Sequence, residues 1–592
     1  MNTSPDQKDE NRRVTYFAAT HTRGKRQLFG IRGEDRGKHM YVIGKTGMGK
    51  STMLENMAIQ DIQNGEALFF IDPHGSTAER LLDFVPHERI KDVLYFAPFD
   101  TEYPIGFNVM EDVGYDKRHL VVSGLMGAFK RIWVDAWSAR MEYILQNTML
   151  ALLEYPGSTL LDVNRMLSNK VFRKAVVDSV KDPIVKTFWV EEFATYTDRY
   201  TQEATPAIQN KVGQFTANPL VRNIVGQPTS SFDLRKMMDE KKIFVVNLSK
   251  GRMGESNAAL LGSMLTVKIY LAAMSRAEEP ASRMAKLPRC YFYVDEFQSM
   301  MNEAFADILS ESRKYKLALT LANQYIEQME ENVRDAVFGN VGTLITFRVG
   351  PFDAEVLETV FEPTFTAEDQ VSLGVGQIYL TLMIDGVGSA PFSAETIPPI
   401  EQPSVSYRDD VVRHSRDVFS RPRADIEALV LKNQEDFAPP QKKEKKPFDE
   451  RRPDERRREP QEHPRAPFSR PPQSSQPSYA RPQAPAFSAQ VAKENMPERS
   501  ALRAALESAR GPAPTPGVAA PIDILRARQA AREGRFNPQA AEPKPESELA
   551  PETKQEIRPK KPLLYGASEL PENNELSTAE LRRVLYGEEG SH

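Results

Sequence analysis

The sequence predicts an α/β fold on a mostly parallel sheet, with an all-helical insertion and a disordered C-terminal tail. Three observations predict it. Short, solid apolar runs alternate with helical stretches over residues 13–110 and again over 241–400. Between them, residues 111–240 carry apolar side chains at helical spacing only. Beyond Gln402 the chain turns polar, and most of its 43 prolines cluster there. A strand covered on both faces reads as a continuous apolar run, and such strands alternating with helices indicate parallel βαβ units.

Residues 1–12 are polar and expected to be disordered. Val14–Ala18 reads as a short strand, and residues 39–43 (HMYVI) as a strand running into a glycine-rich turn. A helix over Ser51–Gln63 follows, stopped by Asn64-Gly65. Ala67–Ile71 is a strand ending in Asp72-Pro73-His74-Gly75, and Val93–Ala97 one ending in Pro98-Phe99-Asp100. In the insertion, Arg140–Glu154 (RMEYILQNTMLALLE) shows the helical period best. The strand pattern resumes at Lys242–Leu248, with a long helix over about Asn257–Arg276. Strands at Cys290–Val294, Leu317–Leu321 and Thr343–Val349 follow, and Ile378–Met383 with Gly388–Ser393 close the domain as a hairpin.

The tail, 401–592, includes Lys442–Arg465, which mixes both charges and cannot bury enough apolar surface to order itself. Two helical islands interrupt it, Ile522–Arg532 and Thr578–Tyr586, the latter capped by Ser577 with Glu580. Pro-Leu-Leu-Tyr-Gly at 562–566 returns as Arg-Val-Leu-Tyr-Gly at 583–587. A chain ending near Gln402 is expected to keep its core and its activity.

A net charge of −5 gives no global basic field to advertise a nucleic-acid partner, although positive charge confined to one channel or face would suffice for one. Cys290 is the sole cysteine, which excludes an internal disulfide framework and fits a reducing compartment. The N-terminal stretch MNTSPDQKDENRR has no apolar segment of the secretory kind. No membrane-spanning helix is expected, so a cytoplasmic location follows, with a peripheral position at the inner face of the cell membrane as the alternative.

Gly44-Lys45-Thr46-Gly47-Met48-Gly49-Lys50-Ser51, with Thr52 next, follows a strand and opens a helix. That is the context of a phosphate-binding loop. Its glycines let successive backbone N–H groups turn inward around phosphates, Lys50 brings a charge to the β/γ oxygens, and Ser51 offers a hydroxyl to Mg²⁺. The strand YFYVDE, Tyr291 to Glu296, ends in two carboxylates. A pair of acids after a strand can simply cap a helix. Beside a phosphate loop, Asp295 instead suits the Mg²⁺ shell and Glu296 the attacking water. These motifs indicate a Mg²⁺-dependent ATPase of the RecA-like P-loop type.

Open parallel sheets bind ligands beyond the C-terminal ends of their strands, and further candidates are assigned there. Gln324, after strand 317–321, is a candidate sensor of the γ-phosphate or of the attacking water. Arg348 ends strand 343–349, and Lys250 and Arg252 follow strand 242–248. Arg313 lies in Glu311-Ser312-Arg313-Lys314-Tyr315, read as part of the helix before the glutamine strand. Asp72 and His74 are explained equally by a proline-fixed turn, and His74 has no neighbouring histidines or cysteines to suggest a metal.

GKTGMGKS, IDPHG, YVDEFQ, ESRKYKLALTLANQY and FGNVGTLITFRVG together resemble the type IV coupling proteins, the TraG/TraD-like branch of the HerA/FtsK ATPases. The resemblance covers about residues 13–400, including the insertion, which is similar to the all-alpha domain of that family. It implies a hexameric ring with DNA in the central channel, nucleotide between subunits, and delivery of DNA to a type IV secretion machine. It also implies Lys50 and Ser51 at the phosphates, Asp295 and Glu296 at Mg²⁺ and water, Gln324 as sensor, and Arg313 as the arginine reaching a neighbour's nucleotide. Two other readings stay open. One is a soluble HerA-like DNA-processing helicase, the other a nucleotide-gated assembly or adaptor ATPase whose tail recruits partners.

Overall fold

The computed structural model describes residues 10–435, apart from 23, 134–136 and 302–303. The helical islands and the repeated motif assigned to the tail lie outside the described residues. So does most of the N-terminal segment, although Glu10 pairs with Lys241 and Asn11 accepts from Arg289.

The described residues form thirteen strands: β1 Val14–Thr22, β2 Lys25–Arg32, β3 Met40–Ile43, β4 Ala67–Asp72, β5 Val93–Phe96, β6 Ile243–Asn247, β7 Cys290–Val294, β8 Leu317–Asn323, β9 Thr343–Thr346, β10 Gln377–Thr381, β11 Met383–Ile384, β12 Val387–Gly388 and β13 Phe392–Thr396. Eleven form one sheet in the order β2-β1-β13-β10-β9-β3-β8-β7-β4-β6-β5. From β9 to β5 every neighbouring pair is parallel. From β2 to β9 every pair is antiparallel, forming a wing beside the phosphate-loop strand.

The central strands are buried along their whole length, as the apolar runs require. Their side chains alternate between two cores. Tyr41, Ile43, Phe69 and Ile71 face the helical insertion and the Glu255–Met274 helix. Met40, Val42, Leu68 and Phe70 face the Lys50–Gln63 and Ser76–Asp83 helices. Below β7, buried Arg36 makes a bidentate pair with Asp61 at 2.7 and 2.8 Å and also donates to Tyr293, which pins the Lys50–Gln63 helix to the sheet. Asn56 of that helix binds the chain leaving β13. Its amide donates to the carbonyls of Ile397 and Pro398, and its oxygen accepts the Ile400 N–H.

Between β5 and β6 the described residues hold helices and no strand, from Arg118–Ile132 to Leu234–Asp239. Ser138 caps the Ala139–Leu153 helix, and Asn218 followed by Pro219 starts the Pro219–Val225 helix. The insertion is held against the core where the Arg118–Ile132 helix crosses the Glu255–Met274 helix. A β-carbon at Gly124 would sit 2.4 Å from Val267, so only glycine permits that approach.

Two sequence expectations are corrected. β2 was not expected, and β1 is longer than expected. β2 is an edge strand with one neighbour and is mostly exposed, so its sequence has no reason to be an apolar run. By length and composition alone Glu255–Glu278 could cross a membrane, but 72% of its most apolar window is buried inside the fold, as in a core helix, so the expectation of no spanning helix is not overturned. Finally, the folded unit does not stop near Gln402. Helices Arg408–Phe419 and Arg423–Glu435 pack back on it, with Val411 and Ile426 fully buried. Asp83 accepts from Gln402, Ser406 and Arg408, and Arg416 pairs with Asp100 at 2.7 Å. Cutting at Gln402 would remove these two side chains, whose burial is worth about 1.5–3 kcal/mol each, and would uncover the surface they pack against.

Candidate functional site

The phosphate loop lies between β3 and the Lys50–Gln63 helix, at the C-terminal edge of the parallel block. Gly49 takes φ 111°, a left-handed value that opens the helix and is strained for any other residue. A β-carbon at Gly44 would come within 2.5 Å of Phe347, so this glycine lets the loop pass close to the end of β9. No side chain caps the helix. Its first N–H groups therefore remain for an anion, where the helix dipole also favours negative charge.

Lys50 is 5% exposed, and its Nζ donates to the carbonyls of Gly44 at 2.5 Å and Lys45 at 3.2 Å. Burial pulls its pKa below the usual lysine range, while Glu296 and Asp295 oppose the shift. Ser51 Oγ donates to Asp295 Oδ2 at 2.8 Å, across 244 residues of sequence. Asp295 is 2% exposed, and burial raises its carboxyl to about 6, with Glu296 and Asp72 adding to the shift and Ser51 opposing it. A buried carboxylate beside a serine hydroxyl, crowded by two other carboxylates, is short of positive charge. That oxygen-only donor set suits a hard divalent cation.

Glu296 takes φ 46°, left-handed for a non-glycine residue. Its carboxylate lies between two amides. Gln324 Nε2 donates to Oε1 and Gln298 Nε2 to Oε2, both at 2.5 Å. Gln324 also accepts from Thr46 Oγ1 at 3.0 Å, so it bridges the phosphate loop and the glutamate. Just before it, buried Asn323 accepts from Tyr41 at 2.6 Å and so ties the ends of β3 and β8 together. Thr46, Gly47, Gly49, Lys50, Ser51, Thr52, Glu296 and Gln324 line one cavity of about 1030 Å³. Its far wall comes from the antiparallel wing, through His21, Arg26 and Thr396–Pro399, none of which stands out in the sequence.

The structure thus brings together the phosphate loop, the acid pair and Gln324. Gly44 and Met48 serve the loop's packing: Met48 is buried, and its carbonyl accepts the Gly376 N–H. The Lys45 N–H donates to the carbonyl of Arg348, which places Arg348 at the edge of the same loop. Lys250 and Arg252 are exposed after β6, Arg252 lying over the Phe99 ring. Asp72 accepts from the N–H groups of His74 and Ala78 and so builds a turn, while His74 reaches the cavity rim.

Arg313 is elsewhere, which corrects its grouping with residues at strand C-terminal ends. It is exposed, in a 3₁₀ turn Ser312–Tyr315 ahead of β8. β8 runs parallel to β3, so its start lies at the edge of the sheet opposite the phosphate loop. Gln298 is the residue that sequence reasoning missed. Its signal was its place two residues after Glu296.

The sequence profile of the type IV secretion-system coupling protein DNA-binding domain matches residues 30–360, more than half of the chain. This chain belongs to that family. A search of curated proteins found no match. Among solved structures, the coupling-protein chain is similar to plasmid coupling protein TrwB in complex with ADP and Mg²⁺, at 15% identity and a TM-score of 0.48, covering 69% of this chain and 95% of that one. It is similar to the unbound conjugative coupling protein TrwBdeltaN70 at 14% identity and 0.46, covering 64% and 88%. VirB4 of Thermoanaerobacter pseudethanolicus matches at 12% identity and 0.44, covering 67% and 98%.

Proposed function

We propose that this coupling-protein family member is a Mg²⁺-dependent ATPase that moves DNA as a ring, a hexamer, for delivery to a type IV secretion machine. The observation that carries the reading is the convergence of Lys50, Ser51–Asp295 and the doubly held Glu296 on one cavity. Lys50 exchanges its two loop carbonyls for the β/γ oxygens of ATP, and the uncapped N–H groups receive the remaining phosphate oxygens. Ser51 and Asp295 would hold Mg²⁺, which when bound would neutralise charge on the phosphates. Glu296 orients the attacking water and takes its proton. Gln324, bonded to both Thr46 and Glu296, reports the γ-phosphate to the glutamate. Arg313 serves the pocket of the adjacent subunit, and that requirement supports a ring. DNA as the moved polymer is supported by membership of the coupling family.

The decisive experiment is ATP turnover with and without single- and double-stranded DNA over a salt series. Turnover is expected to rise with DNA, and the rise to fade with salt as phosphate contacts are lost. Turnover indifferent to both DNA forms would favour the adaptor reading instead.

The shifted Asp295 carboxyl gives a pH test. Its pKa of about 6 exceeds the ordinary carboxylate value, so the folded chain binds a proton there more tightly than the unfolded chain does. The metal-free fold therefore loses stability as pH rises between the ordinary value, about 3.9, and the raised one. Mg²⁺ binding requires the ionised form. Nucleotide affinity in the presence of Mg²⁺ is expected to fall as pH drops through about 6. Calorimetric titration on either side of that pH, with Mg²⁺ and with chelator, checks it, and a metal contribution unchanged by pH would remove Asp295 from the site.

A further inference from the structure

The helical insertion reaches the acid pair in two hydrogen bonds. Arg131, in the last turn of the Arg118–Ile132 helix, donates through Nη2 to the main-chain carbonyl of Gln298. The Gln298 side chain in turn donates to Glu296 Oε2. Glu296 needs such support. A non-glycine residue in the left-handed region is strained and persists only where its surroundings over-determine it. Here the surroundings are Asp295, which accepts the Glu296 N–H at 2.9 Å, and Ser299, whose hydroxyl donates to the Glu296 carbonyl at 2.8 Å. The two glutamines complete the set.

Gln298 sits in the 3₁₀ turn Phe297–Ser299. Its amide oxygen is buried without a hydrogen-bond partner among the described residues, and its Nε2 is the group that orients the side chain there. What holds its main chain is the arginine. Arg131 is itself restrained, its Nη1 lying 3.9 Å from Glu330 and its side chain 24% exposed. Its helix is fixed to the core by the glycine crossing at Gly124.

We propose that Gln298 is a positioning residue for Glu296, and that Arg131 sets Gln298, so that the insertion bears directly on the hydrolytic carboxylate. The proposal rests on the reading of Glu296 given above. Withdrawing Arg131 frees the turn, lets the strained glutamate relax, and misaligns the water it holds. Among the described residues neither Lys50 nor the Ser51–Asp295 pair is hydrogen-bonded to Arg131 or Gln298, so nucleotide binding is expected to be unchanged.

The test is a double-mutant cycle in the full chain with Mg²⁺ and ATP. Arg131→Ala and Gln298→Ala are each expected to lower kcat by roughly 10- to 100-fold, the scale of small misplacements at a reacting centre. KM and the affinity for a fluorescent ATP analogue should stay unchanged. Combining the two should cost no more than the worse single change, because both act through one contact. Arg131→Lys retains a donor for the Gln298 carbonyl and should restore part of kcat. That variant and Gln298→Ala carry the test if Arg131→Ala fails to fold. An unchanged kcat in the single variants, losses that multiply in the double variant, or a parallel loss of ATP affinity would each overturn the proposal. Glu296→Gln is the control that separates the two readings. If it retains full turnover, the assignment of Glu296 has failed, and this proposal with it.

Discussion

Replacing Lys50 with alanine is expected to abolish hydrolysis while leaving the fold in place. The side chain is nearly enclosed, yet it makes no ion pair closer than 4 Å and bonds only to two carbonyls of its own loop. Burial disfavours its charge, so its loss removes little stability. The chemical loss is of a different order. Removing one donor aimed at charge that develops in a transition state typically costs about 10²–10³ in kcat. Lys50 carries a full charge in a largely water-excluded pocket, so at least that much is expected. Phosphate release and circular dichroism measured on the same sample check both halves. Retained turnover in a folded variant would dismiss the phosphate-loop reading.

Arg313→Ala is expected to bind ATP normally and scarcely hydrolyse it, because an arginine supplied by a neighbour is worth about 10³–10⁵ in kcat. Geometry makes this prediction sharp. β8 separates Arg313 from its own pocket by seven residues, roughly 23 Å at about 3.3 Å per residue. No arginine side chain spans that distance, so any catalytic part for Arg313 must be played in a second subunit. Mixing Arg313→Ala with Lys50→Ala chains should therefore recover some turnover. Mixed rings contain interfaces that pair an intact Lys50 pocket with an intact neighbouring Arg313. Arg313→Lys should rescue poorly, because an ammonium lacks the planar fork of a guanidinium. Absence of recovery, with mixing confirmed by native mass spectrometry, would pass the role to Arg348, which borders its own subunit's loop.

The sequence by itself determined the features that depend on a few consecutive residues. Gly49 is readable because a left-handed φ at a helix start restricts the residue type locally. The strands β3, β4, β6, β7 and β8 are readable because burial on both faces makes each run almost continuously apolar, with polar residues mainly at its end. Asp295 and Glu296 are readable because they end such a run.

Tertiary structure alone decided the rest. β2 is a half-exposed edge strand placed by its hairpin with β1, and the helices from 408 to 435 depend on partners hundreds of residues away, such as Asp83 for Arg408. The edge of the sheet on which Arg313 stands follows from the direction of β8 beside β3. The grip of Gln324 on Glu296 and the bond from Ser51 to Asp295 follow from strand order. Local backbone preference is encoded residue by residue. Which strand lies beside which is settled by packing over the whole sheet, and the contacts that align this site exist only after that choice is made.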